Sequence, residues 1–352
     1  MLHSLFQFRS TGCSARSHPA KPSGAMLGAL VAAVALVAAG CGGDTGADDR
    51  AEAGPAPISF GTCGQSVTME RTPQRVAILN DGLADTLFAL GVGDKIVAKT
   101  RGESSPTPEL SERLAALPSL GTRNPSAEAL VAAQPDLLVA DQVAKVSGNQ
   151  GSPSIDELRQ LGIATYVADG GCAQGLTADT TGVDSLFADI DRFGTIFGIE
   201  EQAATLAGQL RARLDDIRAR TGTPARVDVV EVSQVGGQLY VTTGGMSGDV
   251  LERAGGNNLF AELPGQYAPI SAEQVIARNP QVIIVDDYTA SESGRKTAID
   301  FLTSTFPTTD AVRNGRVLAI DAARTGARGS IRVVDGVDEI ARFLYPNAFA
   351  GR

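Results

Sequence analysis

The chain predicts an α/β protein of two lobes, each with a central, mainly parallel sheet flanked by helices, joined by one long linker helix. Three observations carry this. Short apolar strand-like stretches alternate with helical stretches through brief loops, the pattern of parallel sheets covered on both faces. The chain also repeats itself. Ser126-Ala-Glu-Ala-Leu-Val-Ala-Ala-Gln-Pro-Asp-Leu-Leu-Val-Ala-Asp141 returns as Ser271-Ala-Glu-Gln-Val-Ile-Ala-Arg-Asn-Pro-Gln-Val-Ile-Ile-Val-Asp286, at a constant spacing of 145 residues. Each copy reads as a Ser-capped helix stopped before Pro, followed by a buried strand. Between the copies, Ile199 to Arg220 reads as one uninterrupted helix. Glu200 and Glu201 lie in its first turn and arginines in its last turns, as the helix dipole favours, before Gly222 and Pro224 stop it. Its span of roughly 30 Å is enough to cross between two small domains.

Taken in order, Ser66 to Glu70 and Arg75 to Leu79 read as strands, and a helix from Asn80-Asp81 to Leu90 ends at Gly91. Lys95 to Thr100 is the next strand and Pro108 to Leu117 the next helix, before the first repeat copy. Ser154 to Leu161 is helical and Ile163 to Ala168 a strand. Thr181 to Phe197 places Val183, Leu186, Phe187, Ile190, Phe193, Ile196 and Phe197 at spacings of three and four, one apolar face against a core. Beyond the linker come strands at Val227 to Val232 and Gln238 to Thr242, a helix at Gly248 to Ala254, and the second repeat copy. Arg316 to Ile320 is the last clear strand, and Ile331 to Leu344 a closing helix before Pro346.

With 352 residues, 43% of them apolar, the chain can bury two ordinary cores. Residues 1–40 hold Arg9, Arg16 and Lys21, no acid, and an apolar run ending Ala38-Ala39-Gly40-Cys41. That is the order of a secretory signal, and the run of about 15 apolar residues is short for a membrane span. The small residues before Cys41 resemble a bacterial lipobox, which implies removal of residues 1–40 and lipid attachment to Cys41, although Ala38 stands where that motif prefers Leu. An uncleaved N-terminal anchor is the alternative; either places the remainder outside the cytoplasm. Residues 41–57 then read as a flexible tether of Gly, Asp, Ala and Pro. The boundaries that follow are an N-terminal lobe at 58–198, the linker helix at 199–221 and a C-terminal lobe at 222–352. Loss of three bases and no acid takes the net charge from −10 to −13, which argues against a nucleic-acid partner. Cys63 and Cys172 remain, and in an oxidising compartment they are most simply a disulfide, the alternative being two free thiols.

Several segments together resemble a known family. Pro73-Gln-Arg-Val-Ala-Ile-Leu, Phe88-Ala-Leu-Gly-Val-Gly-Asp-Lys-Ile-Val, the two repeats, Ala254-Gly-Gly-Asn-Asn-Leu-Phe and Ala341-Arg-Phe-Leu-Tyr-Pro look like the helical-backbone, class III solute-binding proteins of ABC importers. That family captures ferric siderophores, haem and cobalamin, and the resemblance covers residues 60 to 347. It implies one exposed carboxylate on each lobe for docking on Arg residues of a permease dimer; by position these are Glu128 and Glu273. Each also fits a plainer role, an acid in the first turn of a helix.

The resemblance places the ligand between the lobes, at loops following strand ends. The positions that fall there are Arg101, Thr122, Arg123 and Asp141 from the first lobe, and Tyr240, Tyr267, Tyr288 and Arg324 from the second, with Arg328 and Arg332 as further candidates. Arginines facing tyrosine suit a planar, anionic, oxygen-rich ligand, because guanidinium pairs with carboxylate-like oxygens and stacks on rings. Each Arg also has a plain reading as a solvated surface charge. The chain has no Trp, which counts against cobalamin. Its two histidines, His3 and His18, lie in the signal. The mature chain therefore cannot run Ser-His-Asp or Cys-His catalysis or bind zinc or haem through His. There is no phosphate-loop motif and no acidic cluster at metal-loop spacing. The expectation is a monomeric, non-enzymatic, lipid-anchored receptor without a resident cofactor that delivers a ferric siderophore to an ABC permease. Cobalamin or haem on the same fold is the alternative, as is a sensor or structural lipoprotein that feeds no permease. Direct phenolate ligation of ferric iron by the three tyrosines is a further possibility.

Overall fold

The computed structural model describes residues 56–100, 107–149, 151–172, 181–222, 225–289 and 291–350. Cys41 and Arg101 lie outside them.

The first lobe opens with a hairpin of β1 (Ile58–Thr62) and β2 (Gln65–Met69). Its two-residue turn, Cys63-Gly64, has φ of 44° and 78°, the left-handed pair that matches the twist of a tight hairpin. Then follow β3 (Val76–Ile78), α1 (Asp81–Ala89), β4 (Ile96–Lys99), α2 (Pro108–Ala115), α3 (Ala127–Ala133), β5 (Leu137–Ala140), α4 (Ile155–Gln160), β6 (Ala164–Val167) and α5 (Asp184–Phe197). Strands β4-β3-β5-β6 form one wholly parallel sheet in that order. Every side chain of β3 and β5 is buried, since helices cover both faces. A disulfide joins Cys63 in the hairpin turn to Cys172 beyond β6.

Helix α6 (Glu200–Thr221) follows α5 after Gly198, which takes φ 66°. It buries Ala203, Ala207, Leu210, Leu214, Ile217 and Thr221, a stripe at spacings of three and four. The second lobe comprises β7 (Val227–Val235), β8 (Gln238–Thr242), α7 (Gly245–Arg253), β9 (Gly256–Asn258), β10 (Tyr267–Ile270), α8 (Ala272–Arg278), β11 (Val282–Asp287), α9 (Glu292–Thr305), α10 (Asp310–Arg313), β12 (Val317–Asp321) and α11 (Arg332–Leu344). Its sheet runs β10-β8-β7-β11-β12, with β9 paired to β7. Strands β7, β9, β11 and β12 are parallel, and β8 pairs antiparallel with β7 on one side and with β10 on the other. The antiparallel edge arises because β7 turns straight back into β8 through Gly236-Gly237, at φ 58° and 83°.

Strands β1, β9 and β10 and helices α9 and α10 add to the elements expected from sequence. The repeat is local structure as well as sequence. Ser126 and Ser271 each cap a seven-residue helix by accepting from the backbone three residues on, and Gln134 and Asn279 each end it left-handed, at φ 47° and 44°.

The lobes are not joined by α6 alone. One apolar core runs from Phe60 and Ile78 through Phe193, Leu210 and Ile217 to Val337, Leu344 and Phe349, so the linker helix is packed against both lobes. Residues Thr325 to Arg332 strap the second lobe to α1 of the first: Thr86 Oγ1 donates to the Gly329 carbonyl at 2.7 Å and accepts from the Ile331 N–H at 3.0 Å.

Candidate functional site

In open parallel sheets ligands sit beyond the carboxyl ends of the strands. In the first lobe those ends hold Asn80, Thr100 and Asp141. Asn80 caps α1, accepting from the Gly82 N–H at 2.8 Å, and its amide donates to Asp141 Oδ2 at 3.1 Å. Asp141 is only 3% exposed and pairs with Lys145 at 3.0 Å, whose ammonium also donates to the Leu79 carbonyl. Lys99 donates to both oxygens of Asp81 at 2.8 Å. Burial raises Asp81 against the pull of Lys99. Lys99 also bridges in parallel to Ser119, which carries the exposed Thr122 and Arg123 to the Thr100 end of the sheet.

The second lobe gathers the three tyrosines. Register places Tyr267, Thr242, Glu231 and Ile284 in one cross-strand row, and Tyr240 opposite Ser233 in the next, all on one face. Tyr267 OH and Ser247 Oγ are 3.1 Å apart, and Tyr288 OH donates to Asp286 Oδ2 at 3.5 Å. Tyr288 is 57% exposed. Burial and the charges of Asp286 and Glu231 push the Tyr267 hydroxyl well above its usual range; for Tyr288 the Asp286 charge is the larger cause.

The candidate arginines are largely committed. Arg324 pairs with Glu339, and Arg332, 4% exposed, pairs with Asp321 at 2.6 Å. Arg328 crosses the lobe boundary, donating through Nε to the Gly170 carbonyl at 2.7 Å and to Gln266 at 2.8 Å. Gly170 belongs to the turn before Cys172, so the disulfide steadies the acceptor that Arg328 reaches. Asp85, on α1, is lifted to about 6 by burial, against the pull of Arg332.

The structure thus brings together Tyr240, Tyr267 and Tyr288, while Asp141, Arg324 and Arg332 have their charges answered within the protein. Sequence reasoning missed Glu231, which is 1% exposed on the same face as Tyr267. The available signal was an acid inside Val227-Asp-Val-Val-Glu-Val, where apolar neighbours on both faces leave no solvent side for it to occupy. Glu128 and Glu273 are both exposed at the second position of their helices. Among the described residues no group of three or more His, Cys, Asp or Glu is arranged to hold a metal, and no helix is long and apolar enough to cross a membrane.

Comparison with known proteins adds to this geometry. The family model described as periplasmic binding protein matches residues 76–323. The chain is 25% identical over 340 residues to the uncharacterized ABC transporter substrate-binding lipoprotein YvrC of Bacillus subtilis, covering 94% of this chain and 99% of that one. It is 31% identical over 216 residues to the vitamin B12-binding protein of Yersinia pestis, covering 60% of this chain and 69% of that one. Among solved structures, an ABC-type Fe3+-hydroxamate transport system protein from Saccharomonospora viridis superposes with a TM-score of 0.67 at 24% identity, over 82% of this chain and 98% of that one.

Proposed function

Since the chain belongs to the periplasmic binding protein family, we propose that this ABC-transport substrate-binding protein captures a ferric siderophore between its lobes and delivers it to a permease dimer. The observation that carries the ligand class is the make-up of the two strand-end surfaces. Tyr240, Tyr267, Tyr288 and several hydroxyls line the second lobe, Thr122 and Arg123 stand at the end of the first, and the mature chain has neither Trp nor His. A hydroxyl-rich, aromatic surface suits an oxygen-rich chelate better than the broad apolar face of a corrinoid or a haem that needs an axial imidazole. With Arg324 and Arg332 paired internally, the anionic character required of the ligand is smaller than the arginine count suggests. The raised tyrosine hydroxyls work against bare ferric ion bound through phenolate.

Lobes at 58–198 and 222–352, a linker at 199–221, lipid attachment at Cys41, and docking through Glu128 and Glu273 complete the reading. Two equivalent acids on two similar lobes fit a two-fold-related pair of permease subunits. Cobalamin is the second reading, favoured by the vitamin B12-binding relatives. Native mass spectrometry of the unlipidated domain against competing ferric siderophores, haem and cobalamin separates them. One ferric chelate retained one-to-one is the expected result; retention of cobalamin overturns the ligand class, and no retention moves a sensor role to the front.

A further inference from the structure

The internal repeat acts as its own control on one buried acid. Asp141 and Asp286 close the two copies and occupy the same place in their sheets. In the first lobe β5 pairs Val139 with Ile78; in the second β11 pairs Ile284 with Glu231. The first lobe answers Asp141 with Lys145 and Asn80. The second gives Asp286 no cation among the described residues, and places a second carboxylate, Glu231, where the first lobe has Ile78.

The two acids lie on one face of adjacent strands, Asp286 standing two residues beyond Ile284, the register partner of Glu231. Glu231 Oε2 accepts from Thr242 Oγ1 at 2.5 Å, while Oε1, buried, accepts no conventional hydrogen bond among the described residues. Asp286 Oδ1 accepts from Thr325 Oγ1 at 2.9 Å. With Glu231 only 1% exposed, a second carboxylate beside it on the same face and no cation paired with either among the described residues, the two do not both ionise; one proton between them removes the repulsion and supplies the missing donor.

We propose that Glu231 and Asp286 form a proton-binding site that holds one proton between them near neutral pH and sets the charge of the second lobe's strand-end surface. The packed elements carry charge of both signs. Tyr267 on β10 and Tyr288 after β11 present un-ionised hydroxyls, Ser247 of α7 meets the Tyr267 hydroxyl, and Asp321 at the end of β12 adds negative charge that its pairing with Arg332 of α11 offsets. Arg328 on the strap acts on Tyr267 and is itself directed to Gly170 and Gln266. Burial pushes both carboxyls up, the pair titrating as a unit. Since the unfolded chain releases this proton and the folded one keeps it, stability falls as pH rises through the pair's titration. The site is independent of which ligand the protein takes.

Infrared difference spectra of the full chain near neutral pH, wild type minus Glu231→Gln, should contain a protonated-carboxyl band that alkali removes. Glu231→Gln, whose amide donates permanently to Asp286, should also lose the alkaline fall in Tm that wild type shows. A featureless difference spectrum, or identical alkaline profiles, overturns the proposal. Should that variant fail to fold, carbon-13 carboxyl NMR of wild type labelled at Glu and Asp decides the same point. The expected result is a coupled Glu–Asp pair carrying one proton; ordinary, independent titration of both overturns it.

Discussion

Asp189 of α5 is another buried acid whose environment decides its protonation. It is fully buried, and its Oδ1 accepts from the Tyr166 hydroxyl and, at 2.8 Å, from the Asp169 N–H. Its Oδ2 has no partner among the described residues and faces the strap at Gly329. Burial, outweighing those hydrogen bonds, lifts its carboxyl to about 7. A folded-state value above the unfolded one means that stability is fullest below the ordinary Asp range and is lost as pH rises through about 7. Between pH 5 and pH 8 this residue alone should cost roughly 2 to 3 kcal/mol. Asp189→Asn keeps the Oδ1 contacts and cannot ionise, so chemical denaturation at the two pH values should show a pH difference smaller by that amount. An unchanged difference would place the carboxyl at an ordinary value. At this scale the sequence was only partly legible. Tyr240 lies in β8 and Tyr288 follows β11, strands readable from apolar runs, and Tyr267 opens β10, which was not readable, whereas the burial of Asp189 depends on the other lobe's strap, more than a hundred residues away. Neither the ion pair of Asp141 with Lys145 nor that of Arg324 with Glu339 has a signature beyond opposite charges, of which the chain has many.

At the scale of elements, legibility tracked hydrophobic period and capping chemistry. Helix α5 shows its apolar stripe and the repeat helices show their Ser caps, so both were found nearly to the residue. Helix α9, ESGRKTAIDFLTST, is polar along most of its length and buries Leu302 alone, so it carries almost no periodic signal. Strand β10 contains Pro269, which is tolerated because β10 lies at the edge of its sheet, yet Pro reads in sequence as a break. The repeat helices also supply a functional test. Glu128→Ala with Glu273→Ala removes two exposed carboxylates that make no ion pair among the described residues, so ligand affinity should stay at the wild-type value and Tm fall only slightly, through the lost first-turn charges, while uptake by a reconstituted transporter is lost. Retained uptake removes the docking role. The β1–β2 hairpin makes a different demand. Cys63 sits at φ 44°, a region unfavourable for residues other than Gly, and its disulfide closes a separation of 109 residues. Replacing both cysteines by serine should lower stability by about 2 to 5 kcal/mol in denaturant unfolding. A loss below about 1 kcal/mol would mean that hairpin packing alone holds the turn.

At the scale of the whole molecule, the relation between the lobes is fixed by three independent connections. Helix α6 contributes a buried stripe to a core that continues into both lobes, Thr86 is hydrogen-bonded twice to the strap, and Arg328 reaches from the strap to Gly170. Asp249 reinforces the boundary by accepting from the Val183 N–H at 2.7 Å while pairing with Arg253, which also pairs with Asp184 at 2.8 Å. A hinge closing through a large angle has to break a packed helical interface, not only twist two connecting strands, and apolar interfaces deform in discrete steps at a cost. The long linker was visible in sequence as an uncapped, Pro-free helix, but its packing against α11 was not, because the partner face lies on a helix more than a hundred residues downstream. Ligand capture is therefore expected to proceed with small adjustments of the strand-end loops and little rotation of one lobe on the other. Small-angle scattering with and without the retained ligand should show nearly the same radius of gyration. Leu210→Ala, which opens the shared core at the linker and should cost about 2 to 5 kcal/mol, should increase the difference between the two states. A large ligand-dependent contraction in wild type would mean that the shared core gives way on binding, and that the strap, not α6, is the fixed element about which the lobes turn.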